Sequence, residues 1–220
     1  MDRVARHGSL RSEVYRRLRD DILIGRYPSG TALTEAQISR EMGVSRTPVR
    51  EAISQLTLDG LVFSTPNKSI IVQGFDNNDI HDLYDVRRIM EVIAAARAAE
   101  KMSDEQIREL QEVYDREASE TRATVSTAAL QDLDNNFHEK IFFGSGSKVF
   151  RNILTSISIY TRHARLVSLA TPGRSLKVID EHGRILAAIK NRDSQAAGQA
   201  MRDHIDNAAM NFMTVSHKGG

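Results

Sequence analysis

The chain has 220 residues, 40% of them apolar, with no cysteine, no tryptophan and a net charge of +1. That is enough apolar material for one or two domains, and it excludes disulfides and thiolate metal sites, which suits a reducing compartment. No uncharged apolar run reaches the length of a membrane span and residues 1–10 lack a signal-peptide block, so the reading is a soluble, cytoplasmic protein without membrane contact.

The charge is uneven. Residues 1–74 hold 11 Lys+Arg against 8 Asp+Glu, so the basic excess lies in the first third and hints at a polyanionic partner there. Leu10, Val14, Leu18 and Ile22 recur every fourth residue and mark one face of a helix, which Gly25 ends; Pro28 and Gly30 make a turn. Thr34 and Gln37 have the spacing of a capping box, opening a short helix to about Met42. Gly43 suits a left-handed turn. Ser45 is expected to cap a third helix, with Pro48 in its first turn and Val49, Ala52, Ile53 and Leu56 on its apolar face. "LVFST" and "SIIV" around "PNK" read as a hairpin.

Helix, glycine-centred turn, helix and hairpin is the layout of a winged helix-turn-helix, whose second helix opens into the DNA major groove. Arg46 and Arg50 are four apart and share the side of the helix away from its apolar face. A guanidinium fork fits guanine O6/N7 or a phosphate.

The stretch "LTEAQISREMGVSRTPVREAISQLTLDGLV" resembles the DNA-binding domain of GntR-superfamily bacterial transcription regulators, and the likeness spans residues 10–72. Gly25, Tyr27, Gly30 and Leu33 match a second family element. The resemblance implies operator contacts from Arg46, Thr47 and Arg50, with Ser45 at the helix start. The wing departs from the pattern, with Ser69 where relatives often have glycine; Lys68 remains a candidate for a phosphate contact.

"QGFDNND" reads as a linker, which divides the chain into 1–74 and 75–220. The second part has helical periodicity throughout. About six helices are expected, near 78–100, 103–119, 126–143, 147–169, 174–191 and 194–214. The fold class is therefore mainly α: a winged head with a small hairpin, then an all-helical bundle.

Several polar residues interrupt apolar stripes in this bundle. His182 lies among Val178, Ile179, Ile185, Leu186 and Ile189, and His204 among Met201, Ile205 and Ala208. Asp134 and His138, four apart, accompany Leu133, Phe137 and Ile141. Inward-facing side chains of a bundle can converge, and one carboxylate with three imidazoles suits a divalent transition metal such as Zn, Ni, Mn or Fe. Arg87 stands in the stripe Leu83, Met90 and Ala94, either facing a cavity or paired with Glu91 four residues on. His163 could rim the cavity or face solvent; His7, His81 and His217 stand outside the pattern.

This half resembles the FCD ligand-binding domain of FadR-type GntR regulators, through "DLYDVRRIMEVIAAARAA", "DLDNNFHEKI", "DEHGRILAAIKNRD" and "AMRDHI". The resemblance implies that Asp134, His138, His182 and His204 ligate the metal and that Arg87 binds a small carboxylate effector. A count of six helices is similar to the VanR subgroup. A homodimer binding a palindromic operator, with effector-modulated affinity and repression as the commoner direction, is the implied function. A metal sensor without organic effector is the alternative. A metal-dependent hydrolase is a third, disfavoured because Glu139 and Glu181 adjoin ligands and would point about 100° away from them.

Overall fold

The computed structural model describes residues 3–65, 69–74, 77–123 and 126–216. Lys68 and His217 lie outside the described residues, as do the side chains of His7 and His163. The chain forms two compact units, Met1–Asp76 and Asn77–Gly220.

In the first unit α1 (Arg3–Leu23), α2 (Glu35–Met42) and α3 (Arg46–Leu58) adjoin a small antiparallel sheet of β1 (Ala32–Leu33), β2 (Val62–Ser64) and β3 (Ile70–Val72) in the order β1-β3-β2. Val14, Leu18 and Ile22 of α1, Ile38 of α2 and Val49, Ala52 and Leu56 of α3 are buried, as their spacing requires. Phe63 pairs with Ile71 in the hairpin, and Leu33 of β1 pairs with Ile70. β1 is an element without a sequence signal, because two residues show no period. Gly25 and Gly43 both take positive φ, 77° and 65°, where each follows a helix end.

The second unit holds α4 (Asn77–Lys101), α5 (Asp104–Arg122), α6 (Thr127–Gly144), α7 (Lys148–Tyr160), α8 (Arg162–Leu169), α9 (Arg174–Lys190) and α10 (Ser194–Ser216). α4 packs along α10, where Gly198 lies against Val92 and Ala96, while Ala94 turns to a core cluster with Phe142 of α6 and Leu154 of α7. A capping box of Ser103 and Gln106 starts α5.

The expected single helix at 147–169 is two helices. Thr161 separates them with a flattened ψ (φ −80°, ψ −1°), and its hydroxyl approaches the carbonyls of Ile157 and Ser158 at 3.4 and 3.3 Å. Back-bonding of this kind bends helices. The count of six that suggested the VanR subgroup therefore becomes seven among the described residues. On α7 Leu154 is fully buried and Ile153 is exposed.

Candidate functional sites: the recognition helix and a buried histidine centre

In the first unit, Thr34 accepts a hydrogen bond from the Gln37 amide at 3.2 Å and so starts α2. The Gln37 side chain turns forward to Glu41. Ser45 occupies the N-cap position of α3, yet its hydroxyl makes no capping bond. The reason lies in the sequence. The third helical residue, which would donate to the cap, is Pro48, and proline has no N–H. The expected cap is thus a matter of backbone position alone.

Arg46, Thr47 and Arg50 are all exposed at the start of α3. Arg50 is not solitary. Its Nε and Nη2 donate to the two carboxylate oxygens of Glu35, at 3.0 and 2.9 Å, across the turn between α2 and α3. Its side chain stays 69% exposed, so the fork is steadied rather than covered. Sequence reading missed Glu35 as a partner because fifteen positions separate the two.

In the second unit, Asp134 and His138 on α6, His182 on α9 and His204 on α10 meet in the interior. One nitrogen or oxygen from each lies within 4.8 Å of the others. His138 Nε2 and His204 Nε2 are 3.2 Å apart, and His182 Nε2 faces Asp134 Oδ1 at 3.7 Å. His182 Nε2 has no hydrogen-bond partner although it is buried. Phe137 stacks on the His182 ring at 4.1 Å and fixes its plane.

The outer nitrogens are anchored by carboxylates that sequence reading did not assign. His182 Nδ1 meets Glu117 Oε2 of α5 and His204 Nδ1 meets Glu181 Oε2, both at 2.8 Å. His138 Nδ1 lies 2.7 Å from Glu91 Oε2, close but out of line for a good hydrogen bond. Asp134 is held by Arg165 of α8 through Oδ2 at 3.1 Å, which leaves Oδ1 toward the imidazoles. Glu181 points away from its neighbour His182, as a helix demands, and reaches His204 on another helix instead. Glu139 is exposed.

Burial pulls the pKa of His138 down to about 3 and that of His204 to about 4, so both are neutral near pH 7. His182 goes the other way. Burial pulls it down, but the Glu117, Asp134 and Glu181 carboxylates more than offset this. Asp134 stays ionised: burial works against its charge, and Arg165 with the imidazoles outweighs that. The donor set fits a divalent metal. Three imidazoles present Nε2 inward, with a carboxylate at or near each Nδ1, and a carboxylate oxygen completes the group.

Beside this centre lies a narrow cavity of about 20 Å³, lined by Tyr84, Arg87, Asp134, Arg165, Arg174 and His204 among others. Arg87 satisfies both readings of the sequence. It is 1% exposed, its Nε donates to Glu91 Oε1 at 2.5 Å, and it lines the cavity with Nη1 free of any partner. Arg165 and Arg174 are buried there too, and neither interrupts an apolar stripe that would have revealed it. Arg174 grips both oxygens of Glu181 at 2.6 and 2.8 Å. Among the described residues His81 sits exposed near Asp85, and no helix is long and apolar enough to cross a membrane.

Comparison with known proteins matches both units. The profile of the bacterial regulatory proteins of the gntR family covers residues 10–72, and that of the FCD domain covers residues 82–207. The chain is 26% identical over 196 residues to the HTH-type transcriptional repressor RspR of Escherichia coli (strain K12), spanning 88% of this chain and 84% of that protein. It is 25% identical over 197 residues to the gluconate operon transcriptional repressor of Bacillus licheniformis, spanning 86% and 79%. Its fold is similar to that of E. coli McbR/YncC, with a TM-score of 0.75 at 18% identity over 96% of this chain and 99% of that one. A winged head whose recognition helix starts with exposed arginines, joined to an FCD domain, makes this chain a member of the gntR family of bacterial regulatory proteins, and so a transcription regulator rather than an enzyme.

Proposed function

We propose that the protein is a dimeric, metal-containing repressor whose grip on a palindromic operator is set by a small carboxylate in the FCD cavity. The observation that supports this most is the inward set of imidazole nitrogens beside buried, partly unpartnered arginines. Buried guanidinium N–H groups without an acceptor are costly, and an anion is what would satisfy them. A divalent ion held by Asp134, His138, His182 and His204 would supply positive charge and open positions for a carboxylate oxygen. Zn, Ni, Mn and Fe all suit these ligands. Arg87 binds and orients the effector from α4. One relative is named for a gluconate operon, and gluconate is itself a small carboxylate.

In the head, Arg46, Thr47 and Arg50 face base edges, and Ser45, with its hydroxyl free of capping, faces a phosphate near the helix start. Lys68 serves the wing as a phosphate contact. Two heads reading two half-sites give the affinity that one lacks. Val86, Ile89 and Ile93 of α4 and Val149 and Ile153 of α7 form an exposed apolar set on two helices that pack together, which suits a second copy. The effector acts by favouring one arrangement of the bundle over another.

The narrowness of the cavity favours a second reading, a metal sensor without organic effector. The two separate in one experiment: operator binding by fluorescence anisotropy, titrated with metal, then with metal plus small acids. Effector gating is supported when an acid shifts the operator midpoint at fixed metal. It is refuted when metal alone gives the whole response. Protein purified without chelator that holds no metal and gains no operator response to any divalent ion would refute both.

A further inference from the structure

We propose that the cavity arginines couple anion binding to metal binding through the groups that anchor the metal-facing side chains, so that each ligand strengthens the other. The proposal rests on the metal-centred effector reading above. Three routes lead from the cavity to the ligands. Arg165 Nη1 touches Asp134 directly, at 3.1 Å. Arg87 reaches Glu91 at 2.5 Å, and Glu91 faces His138 Nδ1 at 2.7 Å. Arg174 holds both oxygens of Glu181, and Glu181 accepts from His204 Nδ1 at 2.8 Å. The fourth ligand differs. Among the described ion pairs Glu117, which anchors His182, is joined to no arginine.

All three arginines line the cavity and keep nitrogens without a hydrogen-bond partner: Arg87 Nη1, Arg165 Nε and Nη2 (the last 3.9 Å from Glu91 Oε1), and Arg174 Nε. An anion drawn to them takes up part of their positive field. Glu181 then attracts the Nδ1 proton of His204 more strongly, and the Glu91 charge beside His138 Nδ1 is less offset, which makes the Nε2 atoms better metal ligands. A bound cation in turn raises the pull on the anion. By linkage, the factor by which each tightens the other is the same.

The test uses the full chain, zinc as the metal and acetate, a weak zinc ligand in water, as the probe anion. Zinc affinity is measured by competition with a chromophoric chelator, in acetate and in chloride at equal ionic strength. Acetate is expected to tighten zinc by a factor in the range of about 5 to 150. Glu117→Gln is expected to weaken zinc about 10- to 100-fold and to keep the acetate factor. Arg174→Gln is expected to bring that factor toward one. Equal factors in all three proteins, or tight zinc binding in the wild type that acetate leaves unchanged, would overturn the proposal. Failure of the wild type to bind zinc in chloride is a different result, because it removes the metal reading before acetate is added. If Arg174→Gln melts early, Arg174→Lys reads the same route, since lysine keeps the charge and loses the fork that joins Glu181 to the cavity.

Discussion

The two units place their chemistry in opposite environments. In the head, Arg46, Thr47 and Arg50 are exposed on the first turns of α3, while the residues that hold the fold, Val49, Ala52 and Leu56, face the other way. In the FCD domain, Asp134, His138, His182, His204, Arg87 and Arg165 are all buried within the core that stabilises the bundle. Function and folding are thus separable in one unit and shared in the other. The cost of a buried charge is met by a network: Arg87–Glu91, Arg165–Asp134 and Arg174–Glu181 each give a buried ion its partner.

The largest effect is expected where that sharing is broken. Arg87→Ala leaves Glu91 buried with weaker company, and removing one partner of a buried pair costs about 3–5 kcal/mol. Urea unfolding, followed by helical signal, should show the bundle transition moving to lower denaturant. An unchanged transition would mean that the interior tolerates the lone carboxylate and that the contrast between the units is wrong.

Next in size is the head. Arg46→Ala should cost about 1–3 kcal/mol of operator binding if its fork reads a base, with a stability change within about 0.5 kcal/mol because the side chain is exposed. Anisotropy with operator and with scrambled duplex separates base reading from phosphate contact: a base reader loses discrimination, and a phosphate contact weakens both alike. Arg50→Ala should behave the same way in operator binding, and it also takes from the half-buried Glu35 the fork at 2.9 and 3.0 Å.

The same contrast governs what could be read from the sequence. The helix-turn-helix was legible because Val14, Leu18 and Ile22, then Gly43 and Pro48, obey local rules of period and turn, although Leu10, at the head of the same spacing, is exposed. Asp134, His138, His182 and His204 were legible as a candidate site because they interrupt apolar stripes. Their anchors were not. Glu117 lies in α5, a helix dense in charge, where one more glutamate reads as solvated surface. Arg174 opens α9, and Arg165 sits just past the bend at Thr161, with no stripe to interrupt. The bend was hidden because a hydroxyl bonding to its own helix leaves the apolar pattern of its neighbours intact. Pairings across elements, Arg50 with Glu35 or His204 with Glu181, belong to packing and have no local signature.

The smallest expected effect sharpens the comparison from the side of the head, whose interior polar contacts are few and half-exposed. Tyr15 of α1 donates to Asp59 Oδ2, just beyond α3, at 2.6 Å. Burial, with help from that carboxylate, pushes the Tyr15 pKa up to about 12. A group whose folded pKa is raised adds stability that is present below its unfolded pKa, about 10 for tyrosine, and is lost as pH rises toward the folded value. The head should therefore lose stability between about pH 10 and 12. Tyr27, also raised to about 12 by burial and by Glu41, contributes in the same window. Tyr15→Phe removes one hydrogen bond, about 1 kcal/mol at neutral pH. It also removes one of the two titrating groups, so its stability should fall less steeply than the wild type's from pH 10 upward. Denaturation at pH 7, 10 and 11 reads both slopes, and parallel slopes would show that the Tyr15–Asp59 contact does not join α1 to the end of α3 in solution.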